Sequence, residues 1–520
     1  MTSGWKTILR RLATWDLAAL AVCMIPAVFV AAMFLQVPGE PVGGDPATHA
    51  VIIREMLRSD QAYARYSQFP AGGLEAEYPA LFDLIVALIV AATQVDIFTA
   101  MNATVVALSF LSPLCYWRFF RVFFPGRPQE AFVATLIVSV SWFELMKTVR
   151  DGSYGELLGA GVLLPLWLSF LWEKRVLLAG TTLFALVLTH NLSALLALGI
   201  FIAYLITEAA QKNWMSAKRA IAGHALVLVA MTPFAWSVYL SYVAAIASGT
   251  GGGFAVLGFE SYPDLLTPFL LAFGIIAAIS LARHPRERFF SLWTASYFAL
   301  AQSNFGSERI VRNLSFPLAA CLAVFTMILV PRIRHSLPQA RGALPAIVLS
   351  AIVVTATVNG LQQLATQSDP AIERYLQPHQ LFAYEWLNSQ PAPLGGILSI
   401  DAGDVYLPAF VASDVYGIYS QRWARTFSLP DRVLNEELRN ALMTFNLSSS
   451  VQVFKAWGIR WIVLSTLPPP PVFVAPTERE LILAAWALPL TDSPGYTLAH
   501  VQVSSVGVTR IIEIRWGGAP

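Results

Sequence analysis

Long runs of apolar residues recur along the first 360 positions of the chain, and short polar segments separate them. A helix needs about 20 consecutive, mostly apolar residues to cross the hydrocarbon core of a membrane. The pattern therefore predicts about eleven transmembrane helices. The predicted spans are 16–36, 98–117, 129–146, 155–172, 176–190, 191–208, 220–240, 264–282, 289–303, 313–331 and 342–360.

Basic residues between the runs predict the orientation. Arg10 and Arg11 precede the first run, so the N-terminus is expected in the cytoplasm. The later basic clusters also fall on the cytoplasmic side, provided that the apolar segment 79–94 does not cross. That segment begins with Tyr-Pro, contains Asp83 and is short. We interpret it as a juxtamembrane or re-entrant helix that closes a long first outer loop, residues 37–97.

The chain changes character after residue 360, where polar residues and turns increase and apolar runs shorten. A helical pattern covers 431–445. The β-rich segments are GGILSI (395–400), IRWIVLS (459–465) and TRIIEIRW (509–516). These features predict a polytopic α-helical membrane domain over 1–360 and a soluble α/β domain over 361–520. An odd number of crossings places that C-terminal domain outside the cytoplasm.

Composition supports a membrane protein. The chain of 520 residues is 56% hydrophobic and 13% charged, against about 25% charged in typical globular proteins. The net charge of +2 gives no reason to expect a nucleic-acid partner. Cys23, Cys115 and Cys321 all lie in apolar runs, so we expect buried thiols rather than disulfides or metal ligands.

The first outer loop contains the segment GGDPATHA, with Asp45 before Pro46 and His49 one turn later. Aspartate followed by proline is a common way to begin a helix, and a helix-capping role for Asp45 is one interpretation. Capping explains the aspartate but neither the two preceding glycines nor the histidine. The other interpretation is that Asp45 is a working carboxylate at the membrane surface and that His49 lies beside it.

Other charged residues are expected on the same outer face. They are Lys147, Arg150, Asp151 and Glu156 in KTVRDGSYGE, His190 in LTHNLS, and Arg309 and Arg312 in SERIVRN. Each segment has a plainer interpretation, namely a polar turn, a solvated turn or arginines that reach toward the interface. Together they could bind an anionic headgroup, with arginines on a phosphate and a carboxylate accepting a proton from an attacking hydroxyl.

Several segments resemble those of GT-C-type integral membrane glycosyltransferases, within a poorly characterised bacterial and archaeal group. The matching segments are GGDPATHA, EYPALF, VRDGSYGELLGAGVLLPL, LTHNLSALLAL, ERIVRNLSFPLAA and, in the tail, FAYEWLNSQPAPLGGILSIDAGDVYLPAFVASDVYG and VFKAWGIRWIVLS. The segments are short, but they follow in order along most of the chain.

The resemblance implies an enzyme that takes a sugar from a polyprenyl-phosphate donor and passes it to a lipid or glycan acceptor at the outer membrane face. It implies that Asp45 is the catalytic base and that a second acidic position corresponds to Asp151 or Glu156. A non-crossing helix after the first loop also occurs in some of these enzymes. The chain has no clear Asp-x-Asp metal motif, so no cofactor is certain and a divalent cation stays an option.

The sequence thus favours a hexosyl- or pentosyltransferase of the cell envelope in the cytoplasmic (inner) membrane, with Asp45 as general base. The residues expected to bind substrate are His49, Lys147, Arg150, Asp151, Glu156, His190, Arg309 and Arg312. Two alternatives stay open: a catalytically silent GT-C-like scaffold subunit of a membrane complex, and a transporter. Few charges lie within the predicted spans, which disfavours a transporter. Partner subunits are compatible with both an enzyme and a scaffold.

Overall fold

The computed structural model describes most of the helical part of the chain and much of the tail. The described residues are 14–37, 42, 46–59, 81–140, 143–247, 257–302, 307–336, 344–367, 376–391, 394–399, 407–411, 413, 415–417, 437–438, 440–441, 447–466, 496–504 and 507–514. By their contacts they form two units. The first unit comprises Met1–Gly39, Glu77–Phe82 and Thr99–Ile372, and the second comprises Glu40–Ala76, Asp83–Phe98 and Glu373–Pro520.

The first unit is helical, and the second combines helices with a sheet. The helices in chain order are α1 (Thr14–Leu35), α2 (Pro46–Ser59), α3 (Leu81–Thr93), α4 (Ile97–Phe123), α5 (Pro128–Val140), α6 (Phe143–Asp151), α7 (Tyr154–Trp172), α8 (Val176–Val187), α9 (Asn191–Ala210), α10 (Trp214–Ala247), α11 (Tyr262–Leu265), α12 (Pro268–Leu281), α13 (Arg288–Ala301), α14 (Ser307–Asn313), α15 (Ser315–Ser336), α16 (Leu344–Gln367), α17 (Pro378–Asn388), α18 (Leu407–Phe410) and α19 (Leu447–Ala456).

Each of the eleven predicted spans coincides with a helix over most of its length, and the span 129–146 corresponds to two helices, α5 and α6. Within the described residues, five helices are long and apolar enough to cross a membrane. These are Trp15–Leu35, Ile97–Phe123, Tyr154–Trp172, Leu192–Ala210 and Glu308–Ile328. Helix α3, predicted not to cross, has 13 residues. Helix α8, predicted to cross, has 12, so helix length does not decide between them and the number of crossings stays a prediction.

The tail contains a five-stranded mixed sheet of order β2-β1-β3-β5-β4. Its strands are β1 (Gly396–Ser399), β2 (Val415–Gly417), β3 (Ile459–Thr466), β4 (Tyr496–Ser504) and β5 (Gly507–Ile514). Strand β1 is parallel to β2 and β3, whereas β5 is antiparallel to β3 and β4. The three segments predicted as strands correspond to β1, β3 and β5. The predicted helix at 431–445 lies mostly outside the described residues.

Both faces of the sheet are covered by other parts of the tail. Alternate residues of each strand point to opposite sides, so each face contributes to a core of its own. One apolar core contains Leu398, Ile462 and Ile512 together with Phe454 of α19. The other contains strand residues such as Trp461, side chains of α17 and α18, and Ala47 of α2. Part of the segment 37–97, predicted from the sequence to be the first outer loop, therefore belongs to the core of the second unit.

This grouping differs from the predicted domains. The sequence assigns the loop 37–97 to the transmembrane domain and divides the chain after residue 360. In the structure, the described parts of the loop at 46–59 and 83–97 belong with the tail. The predicted boundary falls inside α16, which continues to Gln367. The loop segment 46–59 groups with the tail in part because Ala47 of α2 lies in an apolar core with residues of α17, α18 and the sheet.

Close helix packing in the first unit depends on glycine. A Cβ added at Gly360 of α16 would lie 2.2 Å from the backbone oxygen of Val140 at the end of α5. Backbone cannot yield as a flexible side chain can, so the two helices would have to separate. Small residues allow helix backbones to approach in this way in membrane proteins.

Replacing Gly360 by alanine is therefore expected to lower the free energy of unfolding by about 1–3 kcal/mol, the usual cost of overpacking. The measurement is the Tm of the purified protein in detergent. The control is Ala351→Leu, which adds more atoms at an exposed position of the same helix. Equal Tm values for the two variants would show that α5 and α16 are not in close contact here.

Candidate functional site

Helix α6 holds three of the predicted substrate-binding residues, Lys147, Arg150 and Asp151, and a fourth, Glu156, follows shortly after it. Gly152 follows the helix with a φ of 82°. Its amide bonds to the carbonyl of Val149, and the amide of Ser153 bonds to that of Thr148. This is a Schellman motif, which ends a helix with glycine in the left-handed region. The chain then re-enters a helix at Tyr154, so Glu156 lies in the first turn of α7.

Two predicted cations meet at one carboxylate in the first unit. Lys147 Nζ lies 3.4 Å from Glu308 Oε1. Arg312 makes an ion pair with the same oxygen. It lies four residues after Glu308 on the same helix, α14. The Arg312 side chain is only 9% exposed and Glu308 is 45% exposed. The carboxylate of Glu308 is thus held by a lysine and a buried arginine. The same two cations could instead hold another anion in its place.

A second acidic group, Glu156, is hydrogen-bonded to the last residue of the same helix, α14. Glu156 is buried, and its Oε1 accepts a hydrogen bond of 2.7 Å from Asn313 Nδ2. Asn313 also donates to the backbone oxygen of Arg309 at 2.8 Å. The bond to Glu156 fixes the end of α14 against the start of α7. We call Lys147, Glu156, Glu308, Arg312 and Asn313 the polar cluster.

Helix α7 contains a π-helical segment, Leu157–Leu163, directly after Glu156. The amide of Leu164 bonds five residues back, to Gly159. Pro165 follows and has no amide hydrogen to continue the ordinary α-helical pattern. Such wider turns are frequent at functional sites. Here the wider turn separates the residue that binds Asn313 from the regular apolar helix.

His190, another predicted binding residue, is buried in the turn before α9. Its Nδ1 accepts a hydrogen bond from the Ser193 amide at 3.3 Å and lies 3.0 Å from Ser193 Oγ. It is therefore the N-cap of α9. A Cβ at Gly159 would lie 2.8 Å from Ser193 Oγ, so the π-helical segment packs directly on this turn. These contacts give His190 a structural role.

His49 and Asp83 form a buried pair in the second unit. The His49 Nδ1 atom lies 2.7 Å from Asp83 Oδ1, and the two side chains are 1% and 0% exposed. Burial raises the pKa of the Asp83 carboxyl, and the charge and hydrogen bond of His49 oppose that rise. The pair joins α2 to α3. Through His49 it therefore fixes α2, the helix that begins directly after Asp45 in the sequence.

The remaining predicted residues are placed less fully. Asp45 lies outside the described residues, although α2 begins at Pro46, as the sequence predicts. Asp151 ends α6. Arg150 is buried, and Arg309 is half-buried on α14. Among the residues that the structure describes, no three His, Cys, Asp or Glu side chains are grouped to hold a metal ion.

Sequence reasoning missed Glu308, Asn313 and Ser193, and it treated Asp83 only as a mark of a non-crossing helix. Two signals could have found Glu308 and Asp83. Glu308 stands four residues before Arg312, a spacing that favours an ion pair on a helix. Asp83 is an ionisable residue in a strongly apolar helix, which usually has a partner.

Solved structures with the same fold are transferases of the membrane. The *Archaeoglobus fulgidus* oligosaccharyltransferase superposes with a TM-score of 0.58 at 12% identity, over 86% of this chain and 69% of that one. ArnT from *Cupriavidus metallidurans*, bound to undecaprenyl phosphate, gives 0.58 at 12% identity over 98% of both chains. The arabinofuranosyltransferase AftD from Mycobacteria gives 0.59 at 15% identity, over 95% of this chain and 40% of AftD.

No protein-family model matches the sequence, and no curated protein matches it. The likeness is therefore one of fold, and it extends over nearly the whole chain. The described helices include several long enough to span a membrane, in agreement with such a fold. The structural neighbours of this chain are GT-C glycosyltransferases, and the resemblance drawn from its sequence is confirmed at the level of the fold.

Proposed function

We propose that this protein is a glycosyltransferase that moves a sugar from a polyprenyl-phosphate donor to a lipid or glycan acceptor at the outer face of the cytoplasmic membrane. The observation that carries the proposal is the likeness to ArnT over 98% of both chains, because that structure holds undecaprenyl phosphate. The oligosaccharyltransferase from *Archaeoglobus fulgidus* has also been solved with a dolichol-phosphate. Both ligands are polyprenyl phosphates.

The polar cluster supports the phosphate half of this proposal. A polyprenyl phosphate is a leaving group that already carries negative charge, so the protein mainly has to position it and stabilise that charge. Arg312 is buried, and Lys147 shares its carboxylate partner. We assign Arg312, Lys147 and Arg309 to the departing phosphate, and Glu308 is the group that the phosphate would displace.

The other roles follow from the same chemistry. Asp45 accepts the proton of the acceptor hydroxyl. Glu156 keeps Asn313 and the end of α14 in place. Arg150 and Asp151 are proposed to contact the sugar or its acceptor. His49 has a positioning role and fixes α2 through its contact with Asp83. His190 likewise positions the start of α9 through its contact with Ser193. A divalent cation stays an option, and the transferred sugar is a hexose or a pentose.

The test of the activity is transfer of radiolabelled sugar from a panel of hexosyl and pentosyl polyprenyl phosphates in membranes that contain the protein. Membranes without it are the control. Transfer that depends on the protein supports the enzyme. Transfer with none of the donors, from a folded protein that copurifies with other membrane subunits, would instead favour a silent scaffold.

Arg312→Gln is expected to weaken binding of polyprenyl phosphate by about 10–100-fold, because hydrogen bonds to charged groups contribute about 1.5–3 kcal/mol. Glu308→Gln should strengthen it, since this change removes the carboxylate that competes for two cations. Binding is measured by inhibition of transfer or by direct titration. Arg219→Gln, at an exposed position of α10, is the matched control. Unchanged binding in both Arg312→Gln and Glu308→Gln would show that the phosphate does not bind at the polar cluster.

A further inference from the structure

An apolar groove of about 430 Å³ opens on the surface of the first unit, between α9, α12 and α13. Its walls include Ile206, Ile279 and Phe298, and Ala278 and Ala295 lie between them. Ile206 and Ile279 are 47% and 68% exposed. In a membrane protein such exposed apolar side chains face lipid, so a hydrocarbon chain is the natural occupant of the groove.

The hydroxyl groups of the groove do not change this character. Ser291 Oγ donates a hydrogen bond of 2.6 Å to the backbone oxygen of Ala278. Thr294 Oγ1 donates to the backbone oxygen of Phe290 at 2.9 Å. Because both donors are already used within the protein, they offer little to recognise a polar ligand. Away from the end at which Arg288 lies, the groove is therefore apolar.

One end of the groove is different, because Arg288 lines it at the start of α13. Some partly buried basic residues of this unit have carboxylate partners: Arg118 bonds to Glu173, and Lys174 to Glu208. Arg288 has no such ion pair among the described residues, and its buried Nε has no hydrogen-bond partner there. An apolar groove that ends at an uncompensated guanidinium fits an anionic headgroup with an attached hydrocarbon chain.

The N-terminus of α13 does not itself supply the site. The amides of Arg288, Phe289 and Phe290 already bond to the carbonyls of His284, Arg286 and Glu287. The helix dipole still favours an anion at this end, but the contact has to come from the guanidinium. The sequence predicts this end of the helices on the cytoplasmic side, whereas the proposed transfer occurs on the outer side.

We propose that this groove binds an anionic phospholipid, with one acyl chain between α9, α12 and α13 and the phosphate on Arg288. The site is separate from the proposed catalytic residues and does not depend on the proposed activity. Its ligand is a phospholipid of the surrounding bilayer that stays bound rather than one that is consumed.

The experiment uses the full-length protein in nanodiscs with phosphatidylglycerol or phosphatidylcholine carrying a photoreactive acyl chain. Crosslinks are mapped by mass spectrometry. We expect phosphatidylglycerol to label peptides that contain residues 275–298 in preference to phosphatidylcholine. Arg288→Gln should lower this labelling about fivefold, the effect of one arginine near a membrane surface. Arg283→Gln makes the same change in charge at an exposed position nearby and should leave the labelling unchanged.

A second pair of variants tests the chain rather than the charge. Ala295→Trp fills the groove from an exposed position and should abolish labelling by both lipids. Ala299→Trp, one turn further along α13 and outside the groove, should not. Equal labelling by the two lipids, or an effect of Arg283→Gln as large as that of Arg288→Gln, would overturn the proposal. So would displacement of the probe by polyprenyl phosphate at equal concentration, which would make the groove a donor site.

Discussion

Replacing Asp45 by asparagine is expected to lower sugar transfer by about 10²–10⁴-fold, the usual contribution of a general base. Asparagine caps a helix about as well as aspartate does, and α2 begins at the next residue, Pro46. If Asp45 only capped α2, the variant would be nearly as active as the wild type. The substitution thus separates the two roles that the sequence leaves open, which alanine would not do.

The measurement is the initial rate of transfer from the best donor of the panel, at saturating and at limiting donor. A loss confined to kcat, with the KM for the donor unchanged, is expected for a group that acts on the acceptor hydroxyl. Asp96→Asn is the control, since Asp96 is an exposed aspartate of the same unit. Near-normal turnover in a folded Asp45→Asn protein would show that Asp45 is not the general base.

Replacing Asp83 by alanine is expected to lower the free energy of unfolding by about 3–5 kcal/mol, the cost of leaving one member of a buried pair without the other. The His49 ring, 1% exposed, would lose its partner at 2.7 Å. Asp83→Asn should cost less, because the amide oxygen can still accept a hydrogen bond from the ring.

The Tm of each variant in the same detergent measures this effect, with Glu385→Ala as the control at an exposed position of α17 in the same unit. The order expected for the Tm values is wild type, Asp83→Asn and then Asp83→Ala, with Glu385→Ala close to wild type. If Asp83→Ala melted together with Glu385→Ala, the pair would contribute nothing to the stability of the second unit.

The helices of the first unit could be predicted well, because a run of about 20 apolar residues has few alternatives to a helix in a membrane. Strands β1, β3 and β5 were also predictable, since each is an apolar, branched segment between turns. Strand β4 was missed because its sequence, YTLAHVQVS, mixes polar residues into a partly exposed strand. Strand β2 has only three residues, which is too few for a periodic signal.

The candidate site was predictable in part. The charges of KTVRDGSYGE and SERIVRN were expected on the same face of the membrane, and in the structure Lys147 contacts Glu308 and Glu156 contacts Asn313. The sequence could not show that Arg312 is buried against its own helix neighbour or that His49 pairs with Asp83. Both depend on tertiary packing, and 33 intervening residues separate His49 from its partner.

The core position of Ala47 has a consequence for the order of events during synthesis. Its neighbours there include Trp461 and Ile511, and these emerge from the ribosome after about 400 further residues, roughly 20–80 s later at 5–20 residues per second. Throughout that interval the segment that follows Asp45 has no completed core to join. The segment that begins α2 is thus made early but is among the last to reach its native surroundings.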